Sequence, residues 1–536
     1  MVLSGEEFSD PDDSYFFERR DKASDTRQKS FLLKRLQEGK AFAAGLNGRF
    51  QGLLVDRSAG TASLFNDRYG LHRVYYHAAA DAFYFAAEAK SILAVKPELR
   101  AIDPRGLGEL VSNGCVLENR SVFREVGVLP PASLWSFRQG SIDTKDSYFH
   151  PSEWEQQEPL DLESYYQQVR SIFSRNIPRY FGGDQRVAVS LTGGLDSRMI
   201  MAWLRAPQGA VPCFSFGGMY RDCRDVTVAR SVAKLCGQPH ELILLGEEYL
   251  SKFAHYSDRT VYLSDGCVDV SHSPDLYINE QAREIAPVRM TGNYGGEVLR
   301  SIRAFKPVEP PAGLFTPDFL RSIGQARQTY AGLINVHPLT FSAFRQAPWH
   351  HYGLLSLEET QLALRSPYLD NEFVQTVFRA PKSTLSSNDI SIRLIRDGNP
   401  ALAQLYTDRG LAGNRGPLLS SAYRNFLEFT FKAEYAYDYG MPQWVARTDN
   451  AFRALHLERL FLGRHKFYHF RLWYRDQLAK VVQEILLDPR ALSRAYVNRQ
   501  GLEAIVAGHV SGNRNYTTAI HRLLTLEHLH RNFIDA

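Results

Sequence analysis

The chain has 536 residues, 44% of them hydrophobic and 23% charged, an ordinary globular composition that excludes disorder, collagen and coiled coil as its main character. Lys and Arg number 63 against 59 Asp and Glu, and a net charge of +4 is too weak a bias to predict nucleic acid or an anionic membrane surface as a partner. The five cysteines, Cys115, Cys213, Cys223, Cys236 and Cys267, form no C-x-x-C pair and read as reduced thiols in a cytosol, not as a zinc ribbon or a redox dithiol. The N-terminus is acidic with no apolar run, and no later segment approaches about 18 uninterrupted apolar residues, so a soluble, cytoplasmic protein is expected.

Residues 49–95 alternate like an antiparallel meander, with turns near Ser58-Ala59-Gly60 and Asp67-Arg68-Tyr69-Gly70. A second β-like stretch runs from Val116 to Phe149. The polar, acidic segment 151–162 marks the expected boundary between a β domain at 1–150 and a second domain at 163–536. Residues 163–180 predict an amphipathic helix with Tyr166, Val169, Ile172 and Phe173 on one side. From residue 186 the pattern becomes strand–helix alternation. Strands are predicted at Val187–Leu191, Pro212–Phe216, Glu241–Leu245 and Val288–Thr291, each followed by a helix, which implies a doubly wound parallel sheet. The chain from about 355 onward is mostly helical by pattern.

The chemistry is concentrated in Ser190-Leu191-Thr192-Gly193-Gly194-Leu195-Asp196-Ser197. A buried strand ends, two glycines follow, and Asp and Ser open a helix. Glycines let backbone N–H groups approach phosphate oxygens, and a helix N-terminus adds positive potential. Thr192 and Ser197 can donate hydroxyl hydrogens to the same oxygens, and Asp196 is suited to hold a bridging Mg2+. The lysine of the kinase and GTPase loop is absent, and G-x-G-x-x-G is absent too. The alternative reading is a plain strand–helix turn capped by Asp or Ser. Two further segments bear on the choice: Phe214-Ser215-Phe216-Gly217, which taken alone reads as core, and the Gly-rich Met290–Glu297, which follows the fourth strand and ends on a carboxylate.

The loop resembles the S-G-G-x-D-S pyrophosphate loop of the ATP pyrophosphatase superfamily, and the whole chain resembles the asparagine synthetase family. Gly48-Arg49-Phe50, Asn66-Asp67-Arg68-Tyr69-Gly70, Val74-Tyr75-Tyr76 and Ala87-Glu88-Ala89-Lys90-Ser91 follow its glutamine amidotransferase domain in order. Thr291–Glu297 matches its second phosphate-side loop, and Arg365-Ser366-Pro367-Tyr368-Leu369-Asp370 its R-x-P-F-L-D. The resemblance implies a PP-loop α/β domain with a helical C-terminal part, preceded by a partial antiparallel β-sandwich of the N-terminal nucleophile amidotransferase type. It implies ATP and Mg2+ as cofactors, a small-molecule or peptide carboxylate as substrate, and an amine or free ammonia as second substrate. Asp196, Glu297 and Arg409 are the catalytic candidates. Leu191, Thr192, Gly193, Gly194, Leu195, Ser197, Phe216, Thr291 and Gly292 are the nucleotide-binding candidates, and Asp196 and Glu297 the metal ligands. Neither nucleic acid nor membrane is an expected partner, and the assemblies left open include a homodimer.

Three departures qualify the resemblance. The family's N-terminal cysteine nucleophile is absent after Met1, and Val2–Phe8 resembles a mid-domain segment, so an inactive amidotransferase remnant without glutaminase activity or ammonia channel is expected. Within that remnant residues 40–148 are expected to dock as a sheet, residues 1–25 to be irregular, and the acidic Ser9–Asp13 and charged Glu18–Asp21 to shield an edge. Gly296 stands where the family carries an acid before Glu297. No lysine occurs between Lys382 and Lys432, where the family places a late catalytic lysine; Arg409 supplies charge there but no proton at neutral pH, and reads equally well as a plain surface arginine. The leading expectation is an ATP-dependent, AMP-forming amide ligase. Its variants are a peptide or natural-product cyclase of the lasso-peptide or β-lactam kind, and the rival from another class is a non-catalytic nucleotide-binding regulatory protein. A tRNA-thiolating enzyme of the same superfamily is a third option, against which the unpaired cysteines argue.

Overall fold

The computed structural model describes residues 2–8, 15–17, 39–411, 419–460 and 462–535. The first half is antiparallel. Strands β1 (Val2–Glu7), β2 (Tyr15–Phe17), β3 (Gly48–Asp56), β4 (Thr61–Asn66), β5 (Tyr75–Ala78), β6 (Phe83–Ala86), β7 (Gly127–Val128), β8 (Ser133–Arg138) and β9 (Ser141–Ser147) make a six-stranded sheet, β2-β1-β3-β4-β8-β9, and a three-stranded one, β6-β5-β7. Period two sorts the apolar residues. Phe50, Phe65 and Leu134 point to one face of the larger sheet and pack on Phe42 and Leu46. Their neighbours Leu53, Leu64 and Trp135 point to the other face and meet Tyr76 and Phe83 of the smaller sheet. The Tyr76 and Trp135 rings lie edge to face at 5.0 Å, closing a sandwich.

Residues 2–7 are not irregular, which corrects the expectation for 1–25. β1 lies inside the larger sheet, paired with β3 along all six residues and with β2 on its other edge. The crossing is tight: a Cβ on Gly5, whose φ is +116°, would sit 2.1 Å from the Arg49 carbonyl oxygen, so glycine is required there. Ser9–Asp13 and Glu18–Asp21, expected to shield an edge, lie outside the described residues. Sequence patterning also passes over the helix Pro104–Asn113, between the two β-like stretches.

The second half is a parallel five-stranded sheet of β10 (Val187–Ser190), β11 (Cys213–Gly218), β12 (His240–Leu245), β13 (Val288–Met290) and β14 (Ala363–Arg365), in the order β12-β11-β10-β13-β14. The helix Leu162–Tyr180 buries Tyr166, Val169, Ile172 and Phe173, the stripe its periodicity predicts. Beyond 366 the regular elements among the described residues are all helices, joined by turns and irregular segments. β14, only three residues long, is the strand missed: it is too short to show a period.

One apolar core runs through both halves, from Phe8 to Phe533. Polar contacts pin the junction. Arg365, at the end of β14, donates from Nε to Glu6 of β1 at 2.8 Å and from Nη1 to the Gly182 carbonyl at 2.8 Å. Asp370 accepts from Asn47 Nδ2 at 2.7 Å and caps the helix Asn371–Val377. The Asp265 carboxylate accepts the Ala89 and Lys90 amides, so the Ala87–Ser91 motif works as a docking point. The Glu6–Arg365 pair is nearly inaccessible, at 5% and 3% exposure. Breaking such a pair strands a charge, so Arg365→Met should lower unfolding stability by about 3–5 kcal/mol, whereas Glu6→Gln/Arg365→Met should recover much of that loss. Denaturant unfolding of the single and double variants checks it; equal losses in both would show that packing, not the stranded charge, sets the cost.

Candidate active site at the reversal of the parallel sheet

From β10 the chain moves outward through β11 and β12, then crosses back to β13 on the other flank of β10. The strand order reverses between β10 and β13, and in open α/β sheets the crevice at the carboxyl ends of such a pair is the usual ligand site. Two loops meet there: Leu191–Ser197 after β10 and Thr291–Glu297 after β13.

The first loop is closed by its own hydroxyls. The Thr192 amide donates to Ser197 Oγ at 3.2 Å and the Gly194 amide to Thr192 Oγ1 at 3.4 Å. Leu191 is buried, its amide on the Phe214 carbonyl at 2.8 Å, and buried Leu195 leads into the helix Asp196–Trp203. The second loop packs against this turn with no room to spare. A Cβ on Gly292 would lie 2.7 Å from the Ser197 nitrogen, and one on Gly295 2.6 Å from Asp196 Cγ. Thr291 Oγ1 accepts the Asn293 amide at 3.2 Å, and Tyr368 O–H donates to the Asp196 carbonyl at 2.6 Å.

Charge is concentrated on both sides of the loop. On the β13 side, both Asp196 oxygens accept from Arg300 Nη2 at 2.8 Å, while Arg300 Nη1 donates to Ser391 Oγ at 3.0 Å. Burial raises the Asp196 carboxyl, opposed by Arg300. Glu297 is pushed up to about 7 by burial, with the Asp196 charge adding to it. His351 Nε2 lies 3.8 Å from Glu297, and burial drives that imidazole down to about 3, so it is neutral. On the β11 side, Asp225 Oδ1 accepts the Gly193 amide at 2.8 Å and is pushed up to about 7 by burial and by the Asp408 charge. The Asp408 amide donates to the Gly193 carbonyl at 3.1 Å. Arg409 Nε lies 4.0 Å from the Asp408 carboxylate, and its half-exposed guanidinium stacks over Phe431 at 4.0 Å. Arg198, fully buried, ties the Gly193 carbonyl at 3.4 Å to the Leu405 carbonyl at 2.6 Å.

The structure thus brings together Leu191, Thr192, Gly193, Gly194, Leu195, Asp196 and Ser197 with Thr291, Gly292 and Glu297 in one crevice. Arg409 joins from the far side through Asp408. Phe216 stands at the end of neighbouring β11, half-buried between the Arg289 guanidinium at 5.3 Å and the Phe467 ring at 5.9 Å. Asp196 and Glu297 were the expected metal ligands, but the side chains present do not fit a divalent ion at Asp196. Both of its oxygens are engaged by Arg300, position 296 has no side chain, and among the described residues no group of three or more His, Cys, Asp or Glu is placed to hold a metal. Tyr368 stands in the Arg365–Asp370 motif without a role being assigned to it, and Arg198, Asp225, Arg300, His351 and Asp408 escape a reading of the sequence. Of these five, Arg300 alone leaves a trace there, four residues after Gly296 and so on the same helical face.

Asp225 and Glu297 keep their protons to about pH 7 in the native state and release them near pH 4 when unfolded. Between those values the native state binds more protons, so both groups make stability fall as pH rises from about 4 to 7. Asp225→Asn/Glu297→Gln should flatten that part of the profile in thermal unfolding from pH 5 to 8; a slope equal to the parent's would refute the assignment.

An asparagine synthase family model matches residues 168–335, and a glutamine amidotransferase domain model matches residues 19–149. The chain is 24% identical over 282 residues to the glutamine-hydrolyzing asparagine synthetase 1 of Bacillus subtilis, covering 51% of this chain and 43% of that protein. It is 28% identical over 159 residues to asparagine synthetase 3 of the same organism, 29% and 25% of the two chains. With the Mus musculus enzyme the identity is 31% over 93 residues, 17% of each chain. The matched stretches span less than half the length of each relative. The two family models in this order, the antiparallel sandwich ahead of a parallel sheet, and the curated relatives together support an asparagine synthetase family protein.

Proposed function

We propose that the protein is an ATP-dependent, AMP-forming amide ligase. A substrate carboxylate oxygen attacks the α-phosphorus of ATP, the bond from that phosphorus to the bridging oxygen breaks, and pyrophosphate leaves. An amine or ammonia then attacks the acyl carbon of the acyl-adenylate; the C–N bond forms, AMP departs with the acyl oxygen, and the nitrogen releases a proton. The observation that carries this reading is the interlock of the Leu191–Ser197 and Thr291–Glu297 loops in the crevice between β10 and β13. Loop amides, the Thr192 and Ser197 hydroxyls and the N-terminus of the helix Asp196–Trp203 there provide donors for pyrophosphate.

Arg300 and Arg409 flank the loop on its two sides and supply positive charge as the leaving group separates. Glu297, held near neutrality in its own titration, is the carboxyl suited to accept the proton from the attacking nitrogen. The sandwich docked behind β14 fixes Arg365-Ser366-Pro367-Tyr368, and through Tyr368 the backbone of Asp196.

Pyrophosphate–ATP isotope exchange across a panel of carboxylic acids tests the adenylation step. Exchange that depends on one class of acid is the expected result. Asp196→Asn keeps a hydrogen-bond acceptor but loses the charge that anchors Arg300, a charge-assisted contact worth on the order of 2–3 kcal/mol, so exchange should fall about 30- to 100-fold. ATP binding with no exchange for any acid would instead favour a non-catalytic nucleotide-binding protein.

A further inference from the structure

We infer that Arg300 takes the place of a metal ion at Asp196, so that a nucleotide's phosphates are met there by a fixed guanidinium, and binding does not require a divalent cation at that carboxylate. The inference rests on the proposal that phosphates bind at residues 192–197. Its first support is exclusion. A Cβ on Gly296 would lie 3.1 Å from Arg300 Nη2 and 2.8 Å from Ile302 Cδ1. An acid at 296 and the guanidinium of residue 300 therefore contend for one volume, and this chain has glycine at the first and arginine at the second. The helix Gly295–Arg300 puts the two positions on one face, four residues apart.

The second support is occupancy. The guanidinium is clamped between both Asp196 oxygens and Ser391 Oγ and is 11% exposed, so it is a built part of the crevice and not a stray surface arginine. The third is charge. Two carboxylates and a divalent ion sum to zero, and so do the single Asp196 carboxylate and Arg300: loss of one acid is matched by a cation of one charge fewer. Arginine suits the exchange because its planar fork keeps donors for phosphate oxygens while pairing with a carboxylate, and it stays charged at any working pH.

The test uses the full-length protein and two probes, ATP by calorimetry in EDTA or in excess Mg2+, and Mn2+ alone by electron paramagnetic resonance. The parent protein should bind ATP within about threefold in the two media and should not bind Mn2+ without nucleotide. Arg300→Gly should lose about 10- to 100-fold in ATP affinity in EDTA. Gly296→Asp/Arg300→Gly should bind Mn2+ alone and should regain ATP affinity only with a divalent ion. Parent affinity that disappears in EDTA would overturn the inference and leave the proposed function standing. No ATP binding in either medium would overturn both. The comparison of the parent in the two media decides the matter even where Arg300→Gly does not fold.

Discussion

The crevice is organised around the closeness of two backbones. Residues 292–295 run so near the turn at Asp196 that no side-chain carbon fits at Gly292 or Gly295, and the Asp196 carboxylate is pressed between that loop and Arg300. Everything on the β13 side is positioned relative to this contact. Glu297 follows two residues after Gly295, Arg300 closes the same short helix, and Tyr368 holds the Asp196 carbonyl from behind. A loop able to drift would lose the alignment of donors that preorganised anion binding requires.

That contact is braced from a distance by the antiparallel half of the molecule. The segment Arg365–Asp370 works as a strut: Arg365 reaches Glu6 of β1, Tyr368 reaches Asp196, and Asp370 reaches Asn47. β1, the larger sheet and the loop that faces the ligand crevice are therefore linked through six consecutive residues. The continuous apolar core between the halves gives the strut a rigid backing, since close-packed interiors transmit displacement and do not absorb it. In this chain the sandwich is part of the architecture that places the crevice.

The electrostatics of the crevice follow from burial with too few counter-charges. Asp225 and Glu297 lie on opposite sides of the glycine loop, both held near neutrality, and Asp225 accepts the Gly193 amide, one of the donors available to an anion. On the proposed function, the Asp225 carboxyl on that amide stands where a phosphate oxygen would bind. It keeps a buried N–H satisfied in the free protein, at the cost of having to yield when an anion arrives. Arg198 and Arg409 supply the positive potential that makes two acids tolerable beside an anion-binding turn.

The residue order by itself determined the broad plan: the period-two runs of 49–86, the buried strand and glycine turn at 187–197, the alternation of strands and helices after it, and the Gly-rich loop at 291–297. Each of these is a local pattern, set by side-chain alternation or by the few residues a turn accepts, and such patterns are legible without neighbours. β14 was not legible, because three residues carry no period, and β1 was not, because its partners β2 and β3 give Val2–Glu7 its conformation. The chemistry of the crevice was half legible. Asp196 and Glu297 stand in motifs, whereas Asp225, Asp408 and Arg198 reach the loop from separate elements, and Arg300 shows its meaning only once Gly296 is seen to leave it room. Motifs record which backbone shapes the chain must adopt; the identity of the cation facing Asp196 depends on which side chain fills a volume in three dimensions, and that is settled by tertiary packing.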